Sequence, residues 1–151
     1  MKTYRHLLDA LIVVGYAVQT FEEFVTLPKL RAMVLRHDVD RLPEWSLFFA
    51  RLQQERGVKG SYYFRTVQAS FDEQIIKEIA ALGHEIGYHY EDVAEISRRT
   101  EGLKVEGRRS RDAIQNTLLE QARESFEINL TRLREVATIK TICMHGSPLS
   151  K

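Results

Sequence analysis

The chain has 151 residues, one domain's length, and a formal charge of +1, which gives no general attraction to nucleic acid or to an anionic membrane surface. Hydrophobic residues at 44% and charged residues at 28% describe a globular protein rather than a disordered one. A single cysteine, Cys143, excludes an intramolecular disulfide framework and fits a reducing compartment.

The leading apolar run "LLDALIVVGYAV" is interrupted by Asp9 and is followed by no small-residue cleavage pattern, so it does not read as a secretion signal. It is too short to span a membrane, and a cytoplasmic location is the expectation. The run reads as a core-facing helix stopped at Gly15, with glycine in the left-handed C′ position. "YAVQT" is a short strand, and Thr20 with Glu23 forms a capping box that opens the brief helix "FEEFV". "RAMVLRHDVD" is the first strong strand. Pro43 suits the first turn of the next helix, whose Trp45, Phe48, Phe49 and Leu52 recur at helical spacing as core residues before Gly57 ends it.

"KGSYYFRT" is the second strong strand, with aromatic residues that favour the pleated surface. Ser70 and Glu73 read as a second capping box, followed by Ile75, Ile76, Ile79 and Leu82 on one helix face and a stop at Gly83. "HEIGYHY" is a third strand. The polar connection "SRRTEGLKVEGRRSRD" reads as a loop and an exposed helix start, with Arg108, Arg109 and Arg111 solvated there. A long helix follows, its buried stripe formed by Leu118, Ala122, Phe126, Leu130, Leu133 and Ala137. "TIKTICMHGSP" is a fourth strand, broken at Gly146 and Pro148. Strand and helix alternate from Val34 onward, which predicts an α/β fold with a parallel sheet and right-handed crossovers.

In such folds ligands gather at the carboxyl ends of the strands. Those ends carry Asp38 and Asp40, then Arg65, then His89 with Glu91 and Asp92 just beyond, then His145. Alternation along a strand puts Asp38 and Asp40 on one face, about 7 Å apart, and His37 on the other. Two carboxylates beside imidazoles need a cation or a shared proton to offset their repulsion. Oxygen and nitrogen donors of this kind suit zinc, and also manganese, cobalt or nickel. One aspartate and two histidines leave a coordination position open for water, and the other aspartate can take its proton. Taken singly, each feature has a plainer reading: an Asp-x-Asp pair caps a turn, Arg65 pairs with a carboxylate, and His6 sits on a surface helix.

"RHDVD", "GHEIGYHYED" and "CMHGSP", in this order and with the leading "GYAVQTFEEF", resemble the polysaccharide deacetylase superfamily, carbohydrate esterase family four. The closer resemblance is to its bacterial branch with the His-Asp-Val-Asp motif. It implies a distorted (β/α) barrel that uses a divalent metal ion to hydrolyse an acetyl group from a saccharide. It further implies that Asp38 is the base, Asp40 a metal ligand and His89 the first histidine of a His-x-x-x-His pair. The second histidine of that pair falls here on Val93. His145, ending the adjacent strand with the parity of Thr141 and Cys143, replaces it, in "HGSP" where the family has an Arg-x-Pro motif. His84 matches a position that is not a ligand and reads as structural. Arg65 is expected to help stabilise the oxyanion.

A (β/α) barrel takes about 200 residues or more. Residues 1–151 are therefore expected to form one deacetylase-like domain, with a helical lead-in, that lacks the C-terminal part of the barrel. Its open sheet edge would be covered by another subunit, as in a homo-oligomer. The competing readings are a catalytically incomplete module that binds a saccharide or partner, and a metal hydrolase acting on a different amide.

Overall fold

A computed structural model of the chain describes residues 2–100 and 108–146. The elements run α1 (Lys2–Val13), β1 (Ala17–Gln19), α2 (Phe21–Thr26), β2 (Ala32–Val34), β3 (Arg36–Val39), α3 (Pro43–Gln54), β4 (Ser61–Phe64), α4 (Glu73–Ala81), β5 (Glu85–Tyr90), α5 (Asp92–Thr100), α6 (Arg108–Val136) and β6 (Ile139–Met144). The fold is mixed α/β. Strands β3-β4-β5-β6 form a four-stranded sheet in sequence order, and β1-β2 a separate two-stranded one. Every pairing is parallel, so α3, α4 and the α5–α6 pair are the crossovers that parallel neighbours require. Among the described residues no helix is long and apolar enough to cross a membrane.

The expected first strand is two. It breaks at Leu35: Val34 is in register with Gln19 of β1, whereas Arg36 is in register with Ser61 of β4. The Leu35 carbonyl accepts from the Ser61 N–H at 2.9 Å, so the carbonyl at the break keeps a backbone partner as the chain passes from one sheet to the other.

The two faces of the larger sheet differ in chemistry. Val39, Tyr62, Phe64, Ile86, Tyr88 and Ile139 join Ala50 of α3, the α4 isoleucines and Leu130 and Leu133 of α6 in the main core. The opposite face carries Asp38, Ser61, Tyr63, Glu85, Gly87 and His89. Much of that polar face is also out of water, with Ser61, Tyr63, Glu85 and His89 buried. Glu85 is kept satisfied there by the Ser61 hydroxyl, the Glu22 N–H and the Thr141 hydroxyl.

A register irregularity in β6 decides what its far end presents. Ile86 pairs with Ile139 but Tyr88 pairs with Ile142, so β6 has one residue more than β5 over that interval. In a regular strand Thr141 would share the face of Ile139. The extra residue leaves Ile139 in the core and turns Thr141, Cys143 and His145 to the polar face, a re-aiming that bulges commonly perform beside functional sites.

Several local expectations change. Thr20 and Glu23 do form a capping box, and Gly15, Gly57 and Gly83 take positive φ at their helix ends. Asp72, not Ser70, caps α4, through its Oδ1 and the Ile75 N–H at 3.0 Å. Ser70 is buried and accepts from the Arg65 N–H while donating to the Val39 carbonyl, which ties the ends of β3 and β4 together. Trp45 is 55% exposed and Phe48 lies at the surface, so α3 buries Pro43, Ala50, Leu52 and Gln53 rather than an aromatic stripe. Only Leu8 of α1 is buried. Part of the polar connection is helical: α5 reaches Thr100. Asp92 anchors it, accepting from Tyr88 on β5 and from Ser125 and Asn129 on α6. The Arg108, Arg109 and Arg111 side chains and Pro148 lie outside the described residues.

Candidate metal centre

Gly87 begins the floor of the site. A Cβ there would meet the Tyr63 ring at 2.3 and 2.4 Å, so the tyrosine lies across the β5 backbone only because that residue has no side chain. The Tyr63 hydroxyl bonds Thr141 at 3.0 Å, and the Arg36 guanidinium stands 5.3 Å from the ring centroid. Arg36 in turn holds Asp38 with two parallel bonds, Nε to Oδ1 at 2.7 Å and Nη2 to Oδ2 at 2.8 Å. This bidentate fork orients the carboxylate as well as attracting it, and its hydrogen bond raises the guanidinium pKa above the ordinary value.

His89 sits opposite, buried on β5 with 3% of its surface exposed. Its Nδ1–H donates to the Cys143 carbonyl at 3.2 Å, which leaves the Nε2 lone pair facing the carboxylates. Burial pushes the His89 pKa down, against the pull of Asp38, so the ring is neutral at pH 7. A neutral imidazole whose other nitrogen is anchored to a carbonyl is the form that binds metal ions. Nε2 lies 3.6 Å from Asp40 Oδ1 and 3.9 Å from Asp38 Oδ2, beyond hydrogen-bond reach of either.

His145 completes the arrangement. Its N–H donates to the Tyr90 carbonyl at 2.7 Å, which extends the β5–β6 ladder by one residue. Its Nε2 reaches within 3.3 Å of Asp40 Oδ1. Donor atoms of Asp40, His89 and His145 lie within 4.8 Å of one another, as do those of Asp38, His89 and Cys143, close enough that either group could hold a metal ion. Ligand atoms around a tetrahedral zinc-sized ion sit about 3.3–3.4 Å apart. The Asp40–His145 and Asp40–His89 separations, 3.3 and 3.6 Å, are close to that spacing, so the first set fits a small divalent ion.

Arg65 is placed beside the centre, with its fork committed to the buried Glu91. Its Nε donates to Glu91 Oε1 at 2.7 Å, Nη2 bonds the same oxygen, and Nη1 reaches the Asp40 carbonyl at 3.4 Å. Arg98 bonds the other Glu91 oxygen at 3.3 Å. Val93, at the position of the second histidine in the motif, is 52% exposed.

The other histidines are accounted for without a ligand. His84 accepts from the Gly60 N–H and donates to the Ala50 carbonyl, each at 2.9 Å. His37 lies on the core face, stacked on Tyr62 at 4.4 Å and in contact with Gln53. His6 is exposed on α1. Sequence reasoning missed Arg36 and Cys143, and named Glu91 at its strand end without its pairing to Arg65 and Arg98. Arg36 and Cys143 each sit two residues before a named site residue, so strand parity carried the signal for both.

No protein-family model, curated protein or solved structure matches this chain.

Proposed function

We propose that this chain is a metal-dependent hydrolase that releases acetyl groups from a saccharide. The observation that carries the reading is the convergence of Asp40, His89 and His145 from the ends of three strands, with Asp38 adjacent and oriented by Arg36. A divalent ion held by those three residues would polarise a carbonyl and make water acidic enough to attack near neutral pH. Zinc suits an Asp-His-His set best, with manganese, cobalt and nickel as alternatives.

Asp38 has the role of general base. The Arg36 fork fixes the direction of its carboxylate beside the centre, in place to accept the proton of the attacking water. Arg65, expected to stabilise the oxyanion, has Nε and Nη2 committed to Glu91 and is instead a positioning residue: with its bond to the Asp40 carbonyl it holds the strand end that carries Asp40. The acetylated saccharide as substrate rests on the motif resemblance, and sequential parallel strands are in keeping with an arc of a barrel. Ile142 and Met144 on the edge strand β6 are 48% and 64% exposed, which supports a second copy covering that edge. The exposed Val93 favours the second reading, a saccharide-binding module without turnover.

Asp38→Asn separates the two. On the hydrolase reading it lowers acetate release from acetylated sugar oligomers by about 100-fold or more while elemental analysis finds the metal content kept. Full acetate release in the variant would overturn the role of Asp38. No release from the wild type, with saccharide still bound, would favour the binding module.

A further inference from the structure

Cys143 has no part in the hydrolysis proposed above, yet it faces the same centre. Its sulfur, an Asp38 oxygen and a His89 ring nitrogen form a second group within 4.8 Å. The two groups differ in chemistry and share one member. Asp40, His89 and His145 offer one oxygen and two nitrogens; Asp38, His89 and Cys143 offer oxygen, nitrogen and sulfur. Thiolate selects soft cations, whereas carboxylate and imidazole suit harder ones. His89 has a single nitrogen to give, because its Nδ1 is committed to the Cys143 carbonyl. It is 97% buried with Nε2 aimed between the two aspartates and hydrogen-bonded to neither.

We propose that the centre has two mutually exclusive metal-binding modes that compete for His89, the second being a site for thiophilic divalent cations formed by Asp38, His89 and Cys143. Binding there breaks the Cys143 S–H bond, forms a sulfur–metal bond and releases one proton to solvent. Arg36 is placed to support the charge that results, since its Nη2 already bonds both the Cys143 sulfur and Asp38. The mode also turns Asp38 from a base into a ligand, so a thiophilic ion would silence the proposed hydrolysis by occupying its base. That consequence and the competition rest on the first ligand set; the second set itself does not.

The test uses the full chain and two ions. Cd²⁺ alone is titrated with ultraviolet detection of thiolate-to-cadmium charge transfer, and Mn²⁺ alone with detection of free Mn²⁺ by electron paramagnetic resonance. The wild type is expected to show the cadmium band saturating at about one ion per chain, and prior loading with Cd²⁺ to displace Mn²⁺. Asp38→Asn, a near-isosteric change on an exposed side chain, is expected to weaken cadmium binding by about tenfold or more, as is His89→Gln. His145→Ala is expected to keep the band and lose Mn²⁺. Absence of the band in the wild type overturns the proposal. So does unchanged cadmium affinity in both Asp38→Asn and His89→Gln, which would mean the thiol binds alone, and so does simultaneous binding of both ions. A wild type that shows the band but takes up no Mn²⁺ would instead sink the hydrolytic ligand set and leave the soft site standing.

Discussion

His37 and His89 lie on opposite faces of one sheet, and burial pushes both pKa values down. What separates them is what their nitrogens meet. His37 is packed between Phe49 and Tyr62, and its Nε2 is in contact with Gln53, which also bonds Tyr4 and Tyr62. His89 has one nitrogen anchored and the other facing two carboxylates that do not reach it. Desolvation makes each ring neutral; only the unmatched lone pair among anionic donors makes a candidate ligand. A buried histidine is therefore informative through its partners, not through its burial.

The sharpest way to break the contrast is to exchange the two outcomes. His89→Gln is expected to lower affinity for Mn²⁺ or Zn²⁺ by about 100-fold or more, as fits loss of a direct ligand when outer partners alone account for 10–100-fold. His37→Gln should leave that affinity within about threefold. Isothermal titration of both variants checks this, and an equal loss in the two would show that the centre depends on the core face as a whole.

Acid titration probes the same pair through stability. Burial holds the folded His37 at about 4, below the ordinary value of about 6.5, so between those limits the unfolded chain binds more protons. The His37 contribution is complete above about pH 6.5 and is lost as pH falls toward 4, amounting to about 2 kcal/mol between pH 6.5 and 5. His89, shifted in the same direction, acts in the same sense. Urea unfolding of wild type and His37→Gln at both pH values should show a shallower pH slope in the variant. Parallel slopes would contradict the assignment.

Gly87→Ala tests the floor of the polar face. The added methyl group would overlap the Tyr63 ring and force it off Thr141, at a cost of about 1–3 kcal/mol typical of overpacking. Tyr63 supports Arg36 and hence Asp38, so on the proposed hydrolase reading acetate release should fall along with stability. Restoration of stability in Gly87→Ala combined with Tyr63→Ala would confirm the steric cause. Smallest is Tyr4→Phe, which removes one hydrogen bond to Gln53 on the His37 side and should cost about 1 kcal/mol with metal binding unchanged.

Much of the centre was legible because strand geometry is local. A period of two puts Asp38 and Asp40 together and His37 opposite wherever the strand lies, and the glycines that end α1 and α3 and the cap at Thr20 act within one turn of chain. Trp45 and Phe48 misled because helical spacing shows which residues share a face but not whether anything covers it. The helix α5 was hidden because its polar surface hangs on Asp92 and its partners across more than thirty residues of sequence. For His145, parity with Cys143 is local, but which face that parity presents depends on the extra residue in β6.

The amino-acid order alone therefore determined the alternation of strands and helices and the sidedness of each carboxylate and imidazole within its own strand. The tertiary structure decided which of those sides meet. It set Tyr63 across Gly87, Arg36 onto Asp38 and Cys143, and His145 within reach of Asp40, since register, bulges and side-chain pairing across long separations follow from packing the whole sheet against its helices.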